Sequence, residues 1–221
     1  SNTIKNAHIL KFIYLLLRDK RSMLNRTIKL FKRKKYNHVS LAFDAELADT
    51  FSFGRKKANN PFIGGFIHED VTSDFYSRAK CAVYELTVSE KQAAVMRGYV
   101  SSFEKDKEKY HYNLLGLLPA LFNKVWDREN YYFCSHFIST VLVEGDVLQS
   151  NKPVALMRPT DVLEALPFVP LYEGVLYHFN ELSTSASAQG LAYEAENIIE
   201  SIDSDSADLY FPDNFSPVPI L

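Results

Sequence analysis

The sequence contains only two cysteines, Cys81 and Cys134, among its 221 residues. Two cysteines do not make a disulfide framework, and no CxxC pair or Cys/His cluster with zinc-ligand spacing is present. Long apolar runs are missing too, because the stretch 12–17 lies between Lys11 and Arg18 and is far shorter than a membrane span. No secretory signal is visible. We therefore expect a reducing, cytoplasmic setting, with a removed leader left open, and neither a metal nor a cofactor.

Each end of the chain lacks charge of one sign. Residues 1–36 carry eleven Lys or Arg and one acid, Asp19, whereas residues 180–221 carry eight acids and no Lys or Arg. The basic end could bind an anionic surface, and a solvated helix face is the alternative reading. We expect no specific nucleic-acid site. The acidic extension, residues 181–221, retains aliphatic and aromatic residues, so we expect part of it to dock on a domain of residues 1–180.

The alternation of apolar and polar residues predicts strands in the first third of the chain. Residues 9–17 are apolar except for Lys11, and this run predicts a buried strand. Residues 38–44 alternate with period two, and so do residues 50–54, which predicts a hairpin. If its turn centres near Glu46, then His38 faces Gly54 one strand across.

The rest of the sequence predicts an α+β protein in which helices pack against an antiparallel sheet. Gly64-Gly65 predicts a break or bulge, and Ser89 is a suitable N-cap for a helix. The predicted elements are a basic helix after Ser22 that contains Arg26, Lys29, Lys32 and Arg33, a strand at 81–88, helices at 90–107, 112–122, 133–143 and 159–166, and a strand at 173–179.

Two side chains combine into a candidate for nucleophilic chemistry. Cys134 lies in the first turn of its predicted helix, where unpaired N–H groups and the helix dipole favour a thiolate. His38 begins a strand whose same-face neighbours, Ser40 and Ala42, are small enough to let a helix approach closely. Taken singly, a buried core cysteine and a hydrogen-bonded strand histidine are the alternative readings.

The order of these segments carries a resemblance to a known family. The relevant strings are Tyr-Asn-His-Val-Ser-Leu-Ala-Phe-Asp at 36–44, Phe-Ser-Phe-Gly-Arg at 51–55 and Tyr-Phe-Cys-Ser at 132–135. With the histidine strand first and the cysteine helix last, residues 9–179 resemble the circularly permuted branch of the NlpC-type papain-like superfamily. That branch includes relatives of lecithin:retinol acyltransferase.

The resemblance implies roles for individual residues. Cys134 corresponds to the nucleophile and His38 to the general base and acid, and the family's third polar residue falls at Ser52 or Thr50. Many members have a histidine, a glutamate or an amide at this third position. A hydroxyl can orient the imidazole but adds no charge. Asp44 is the alternative residue for orienting His38.

The resemblance also implies a function with alternatives. The first is a cysteine hydrolase of the peptidase or amidase kind that acts through an acyl-cysteine intermediate on a small-molecule, peptide or lipid-like acyl substrate. A lipid acyl hydrolase or acyltransferase and a non-catalytic binding module of the same fold are the alternatives. Tyr112 and Asn113, with Tyr132 just before Cys134, are candidates for lining a substrate cleft, and core packing of the aromatic rings is the other reading.

Overall fold

The computed structural model describes residues 9–19, 35–57, 60–113, 116, 124 and 128–187. Helices of this part include α1 (Asp74–Ser77), α2 (Glu90–Lys105), α3 (Cys134–Glu144) and α4 (Pro159–Ala165). The strands are β1 (Leu10–Arg18), β2 (His38–Ala42), β3 (Thr50–Lys57), β4 (Asn60–His68), β5 (Lys80–Ser89), β6 (His111–Tyr112), β7 (Tyr131–Tyr132) and β8 (Val169–Val175).

Six of these strands form one antiparallel sheet in the order β4-β3-β2-β1-β5-β8. β1 lies in the middle, and its residues from Ile13 to Arg18 are buried. The strand predicted at residues 9–17 is therefore confirmed, displaced by one residue at each end, but its predicted burial is wrong for residues 9–12, which are exposed. The predicted α+β class with an antiparallel sheet is confirmed as well.

Buried side chains cover both faces of the sheet. Alternate residues of β1 and β2 point to opposite faces and so belong to different clusters. Leu15, Leu17, Val39 and Leu41 share one apolar cluster with helices α2 and α3, and we call this side the α3 face. Residues of the opposite parity lie on the other side, which we call the His38 face. They are Tyr14, Leu16, Arg18, His38, Ser40 and Ala42, and the apolar members among them pack against Leu176 and Phe179.

The hairpin of β2 and β3 has the predicted register. Leu41 pairs with Phe51 and Ala42 with Thr50, so the turn is centred on Glu46. Continued along both strands, this register sets His38 opposite Gly54. A slip of one residue would move Val39 and Leu41 from the α3 face to the polar His38 face, so the period-two pattern together with the turn near Glu46 accounts for this pairing.

The break predicted at Gly64-Gly65 is wrong, because β4 continues through both residues and pairs with β3. The alternative, a bulge, agrees with the register shift between the pairs Arg55–Gly64 and Lys57–Asn60. Gly64 has a further role in packing. A Cβ built on Gly64 would lie 2.7 Å from the carbonyl oxygen of Gly54 and 2.7 Å from Cβ of Tyr112. Glycine at this position therefore lets β6 approach the sheet closely.

Helices α2, α3 and α4 agree with the sequence prediction to within two residues at each end. Ser89 caps α2, since its hydroxyl accepts a hydrogen bond from the backbone N–H of Gln92, and the Gln92 side-chain oxygen accepts one from the backbone N–H of Ser89. Two other predictions are wrong. Tyr112 lies in a strand rather than at the start of a helix, while most of the predicted helix 112–122 lies outside the described residues. The last strand ends at Val175 instead of residue 179. Leu176 and Phe179 lie three residues apart in a helix, and both side chains are buried in the cluster of the His38 face.

The chain divides into two compact units, Ser1–Glu181 and Leu182–Leu221. Of the second unit the structure describes residues 182–187, which are helical. The predicted basic helix after Ser22 and the acidic extension beyond residue 187 lie outside the described residues. Within the described part, no helix combines the length and the apolar character needed to cross a membrane.

Candidate active site

Cys134 is the first residue of α3, as predicted. The preceding residue, Phe133, occupies the N-cap position, and a phenyl ring cannot accept hydrogen bonds from the first N–H groups of the helix. The positive end of the helix dipole therefore lies at the thiol, and the N-cap residue Phe133 provides no side-chain acceptor there. Cys134 is 6% exposed, and its neighbour Ser135 donates a hydrogen bond to the carbonyl oxygen of Met157 at 2.6 Å, which anchors the start of the helix.

A short parallel ladder brings two of the substrate-site candidates next to Cys134. β6 pairs with β7, and the N–H of Asn113 donates to the carbonyl oxygen of Tyr132 at 3.0 Å. The Tyr112 ring meets the Phe133 ring edge-on with centroids 6.3 Å apart. Asn113 is buried, and its side-chain oxygen accepts from the N–H of Gly116. Tyr112 and Asn113 therefore lie beside the segment that leads into the cysteine helix.

Tyr132 has a different environment from Tyr112. Its ring centroid lies 5.0 Å from that of Phe53 and 5.4 Å from that of Phe103, within the aromatic part of the α3-face core. Tyr110 stacks on Phe103 in the same cluster at 4.4 Å. These contacts are those of core packing, the alternative reading for the aromatic residues of this region.

His38 is 3% exposed, and its Nε2 lies 3.0 Å from Oε1 of Glu69. Glu69 is itself buried and accepts hydrogen bonds from three further side chains. Ser52 donates at 2.5 Å, Ser40 donates at 3.0 Å, and the Nη2 of Arg18 forms a buried ion pair with Oε2. A carboxylate removed from water requires this compensation, since an unpaired buried charge costs several kcal/mol.

The hydrogen bond to Glu69 determines which imidazole nitrogen is basic. An ionised carboxylate can only accept, so the proton of the hydrogen bond belongs to Nε2 of His38. Neutral His38 then carries its lone pair on Nδ1, the nitrogen that can take a proton from another group. A carboxylate at Nε2 also stabilises the imidazolium that forms when Nδ1 is protonated.

Glu69 is not among the residues predicted for the third polar position, which were Ser52 and Thr50. The Ser52 hydroxyl donates to the Glu69 carboxylate, whereas the Thr50 hydroxyl donates to the carbonyl oxygen of Leu47. Asp44 is engaged in the β2–β3 turn, where its two carboxylate oxygens accept from the N–H groups of Ala48 and Asp49. The residue hydrogen-bonded to Nε2 of His38 is thus one that neither prediction included.

A signal for Glu69 was present in the sequence but depended on recognising β4. His68 pairs with Phe51, and the next N–H, that of Glu69, donates to the carbonyl oxygen of Thr50 at 2.7 Å. Glu69 therefore continues the β4 register and lies on the side of Thr50 and Ser52. Because Gly64-Gly65 was interpreted as a break or bulge and no strand was predicted there, the position of the carboxylate was missed.

The faces of the sheet constrain how Cys134 and His38 can meet. Helix α3 contacts β2 and β3 from the α3 face, whereas the imidazole lies on the His38 face with Glu69. The β2–β3 ladder consists of the pairs Leu41–Phe51 and Ala42–Thr50, which lie next to the turn. His38 is at the other end of β2. A proton path from thiol to imidazole would run between the two strands at that end. Contact between Cys134 Sγ and His38 stays a prediction.

The second thiol has the properties of an inert core cysteine. Burial raises the pKa of Cys81 to about 11, although the nearby Arg18 guanidinium opposes that effect. Cys81 is paired with Arg18 across β1 and β5 and packs with Val83 in the cluster of the His38 face. Its thiolate is therefore scarce at neutral pH.

Among the described residues, no three His, Cys, Asp or Glu side chains are grouped in a way that could hold a metal ion. Comparison of the chain with protein-family models, with curated proteins and with solved structures found no match. The fold and the site thus define an α+β protein with a buried Arg–Glu–His network on one side of its sheet and a helix-terminal thiol on the other side.

Proposed function

We propose that this chain is a cysteine-dependent hydrolase of the circularly permuted papain-like kind, which cleaves an amide or ester bond through an acyl-cysteine intermediate. The observation that carries the proposal is the buried hydrogen bond between Glu69 and Nε2 of His38. It supplies the charged orienting group that the sequence seemed to lack. Cys134, on the helix that contacts the same strand, is the nucleophile.

The reaction follows from the roles of these groups. Nδ1 of His38 takes the thiol proton, and the sulfur adds its electron pair to the carbonyl carbon of the substrate. The N–H groups at the start of α3 stabilise the resulting oxyanion. The imidazolium then gives its proton to the leaving amine or alcohol. In the second half, His38 takes a proton from water, the hydroxide attacks the thioester, and the acid and the free thiol are released.

The surroundings of Cys134 bear on the substrate. The rings of Tyr112 and Phe133 flank the segment at the thiol, and buried Asn113 lies beside it. Aromatic rings favour an apolar group on the acyl side, and an amide side chain can bind one carbonyl or N–H of a substrate. A peptide or small amide is the first candidate, and a lipid-like acyl ester is the second.

The test is alkylation of the native chain by fluorescent iodoacetamide, followed by peptide mapping. We expect fast labelling of Cys134, no labelling at that site in Cys134→Ser, and unchanged labelling in Cys81→Ser. His38→Gln should slow the labelling strongly because it removes the base. His68→Gln is the matched control, since His68 is half exposed at the far end of β4. A second arm uses a p-nitrophenyl ester, whose acyl group should appear on the Cys134 peptide by mass.

A non-catalytic binding module is the second candidate function. It is favoured by the position of the imidazole on the sheet face opposite to the apolar side of α3. In that case the Arg18–Glu69–His38 network serves stability alone. Equal labelling of Cys134 in the wild type and in His38→Gln, with no acyl adduct from the ester, would favour the binding module and contradict the hydrolase.

A further inference from the structure

Arg18 is a fully charged side chain that the proposed reaction does not use. It ends β1, opposite His38 on β2 and Cys81 on β5, and it is 1% exposed. Its Nη2 pairs with Glu69 and lies 3.4 Å from the Ser40 hydroxyl. Its guanidinium carbon lies 4.3 Å from the centre of the Tyr76 ring. A cation held this way in the interior is costly unless a counter-charge is fixed against it.

The charges of the cluster constrain the protonation of His38. Arg18 and Glu69 together are neutral, and each oxygen of the Glu69 carboxylate has a partner. Protonating His38 would leave a net positive charge in a buried site, whereas neutral His38 leaves none. Removal of Arg18 reverses this balance, because Glu69 would then be a buried anion, and protonation of His38, which is hydrogen-bonded to it, would supply a compensating positive charge.

We propose that Arg18 is a positioning residue that fixes the Glu69 carboxylate and thereby keeps His38 neutral, with its proton on Nε2 and its lone pair on Nδ1. The value of this state for catalysis rests on the proposed function, because a general base must be unprotonated at the working pH. The protonation state itself does not depend on any activity.

Other titratable groups face this cluster and must be considered. Tyr76 of α1 is a neutral phenol, since burial and then the Glu69 carboxylate raise its pKa. Cys81 of β5 is a neutral thiol, because burial raises its pKa to about 11. Cys134 of α3 is the thiol on the other face, and Asp19 follows β1 with its carboxylate 3.5 Å from the Asn37 amide. Of these groups, Arg18 is the one whose charge is paired directly with Glu69.

The first test needs only the wild-type protein. Long-range ¹H–¹⁵N correlation spectra of the ¹⁵N-labelled full chain distinguish protonated and unprotonated imidazole nitrogens, and the signals of His38 are identified by their loss in His38→Gln. We expect a neutral ring at pH 7 with Nε2 protonated. An imidazolium at pH 7, or a neutral ring with the proton on Nδ1, would overturn the proposal.

The second test removes the charge of Arg18 while keeping a donor near Glu69. Arg18→Gln should raise the pKa of His38 by about one unit or more, because a positive neighbour is lost. Arg18→Lys retains the charge and should leave the pKa within about half a unit of the wild type. A role in packing alone predicts no shift in Arg18→Gln, and that result would contradict the proposal. If Arg18→Gln does not fold, the wild-type spectrum alone tests whether His38 is neutral with its proton on Nε2.

The inference and the proposed function fail in different ways. If His38 titrates as expected but Cys134 forms no acyl adduct, the charge arrangement stands and the hydrolase is wrong. If the adduct forms but the pKa of His38 is indifferent to Arg18, the hydrolase stands and Arg18 has only a structural role.

Discussion

Glu69 shows how a single carboxylate changes the chemical interpretation of a histidine. Its two oxygens accept from four side chains, and three of them lie on β1 and β2 (Arg18, His38 and Ser40), so the carboxylate holds the imidazole on a rigid part of the sheet. A serine at the same position could orient His38 but could not stabilise an imidazolium. The missing charge that made the third role uncertain in the sequence is therefore present, contributed by the residue that follows β4.

At the residue scale we predict that Glu69 contributes far more to acyl transfer than Ser52. Glu69→Gln should lower kcat/KM for an ester substrate by about 10²-fold or more, because it removes the charge that stabilises protonated His38. Ser52→Ala should lower it by less than about tenfold, since Ser52 acts through Glu69. Ser40→Ala is the matched control, as Ser40 donates to the other oxygen of Glu69.

The Glu69 variant also leaves the guanidinium of Arg18 buried without a counter-charge, which costs about 3–5 kcal/mol of unfolding free energy. The assays therefore require a temperature at which circular dichroism shows each variant folded. Equal losses of activity in Ser52→Ala and Glu69→Gln, both folded, would mean that the hydroxyl is the essential group.

The residues that the sequence analysis identified correctly are those set by local pattern. Cys134 at the first position of α3 follows from helical spacing, because Cys134, Phe137 and Ile138 lie on one buried side. Glu69 could not be found in this way, because its role depends on pairing with a strand seventeen residues earlier and on the side chain of Arg18 beyond that. Non-local charge pairing leaves no periodic signal in a sequence.

At the element scale, the alternating strands were predictable and the glycines were misleading. The pairing of β2 with β3 follows from alternation together with a turn centred near Glu46. Gly64 was interpreted as a break or bulge, and its further role is to allow contact with Tyr112, a residue nearly fifty positions later. The end of β8 was misplaced for a similar reason. The apolar residues Leu176 and Phe179 are compatible with either a strand or a helix. In the structure they are helical, and both are buried against the His38 face.

Helix α4 supports a prediction on stability that depends on pH. The Asp161 carboxylate accepts from the backbone N–H of Arg158 at 2.8 Å and pairs with Lys152. Burial alone would raise the pKa of Asp161, but these hydrogen bonds outweigh it and the pKa lies below its usual value. Asp161→Asn should lower the unfolding free energy by about 1 kcal/mol at neutral pH, measured by urea denaturation.

The sign of the pH dependence follows from that lowered pKa. The contribution of Asp161 is complete above its unfolded pKa of about 3.9 and is lost as the pH falls through the lower folded value. The difference between wild type and Asp161→Asn should therefore be constant near neutrality and shrink in acid. Glu164→Gln, an exposed change in the same helix, is the control. A difference that grows in acid would contradict the assigned ion pair.

On the scale of the whole molecule, the sheet separates two apolar layers of different character. The α3 face carries the larger cluster, rich in aromatic rings such as Phe53, Phe66 and Phe103. The His38 face combines a smaller apolar cluster with the Arg18–Glu69 network. The sequence could not predict that the polar network would be buried on the other side, because burial of a charge depends on which residues cover it.

This layering predicts how the second thiol responds to unfolding. Cys81 lies in the layer of the His38 face, and burial raises its pKa to about 11, so in native protein at about pH 8 it should resist alkylation. In a Cys134→Ser background, Cys81 should be labelled only through opening of that layer. If the layer opens only with the whole domain, the labelling rate should rise with urea and give the same unfolding free energy as circular dichroism. The double variant Cys81→Ser/Cys134→Ser gives the background.

Rapid labelling in native buffer, with the circular dichroism spectrum unchanged, would show instead that the layer of the His38 face opens by itself. Such opening would also expose Arg18 and Glu69 to water and weaken their interaction with His38.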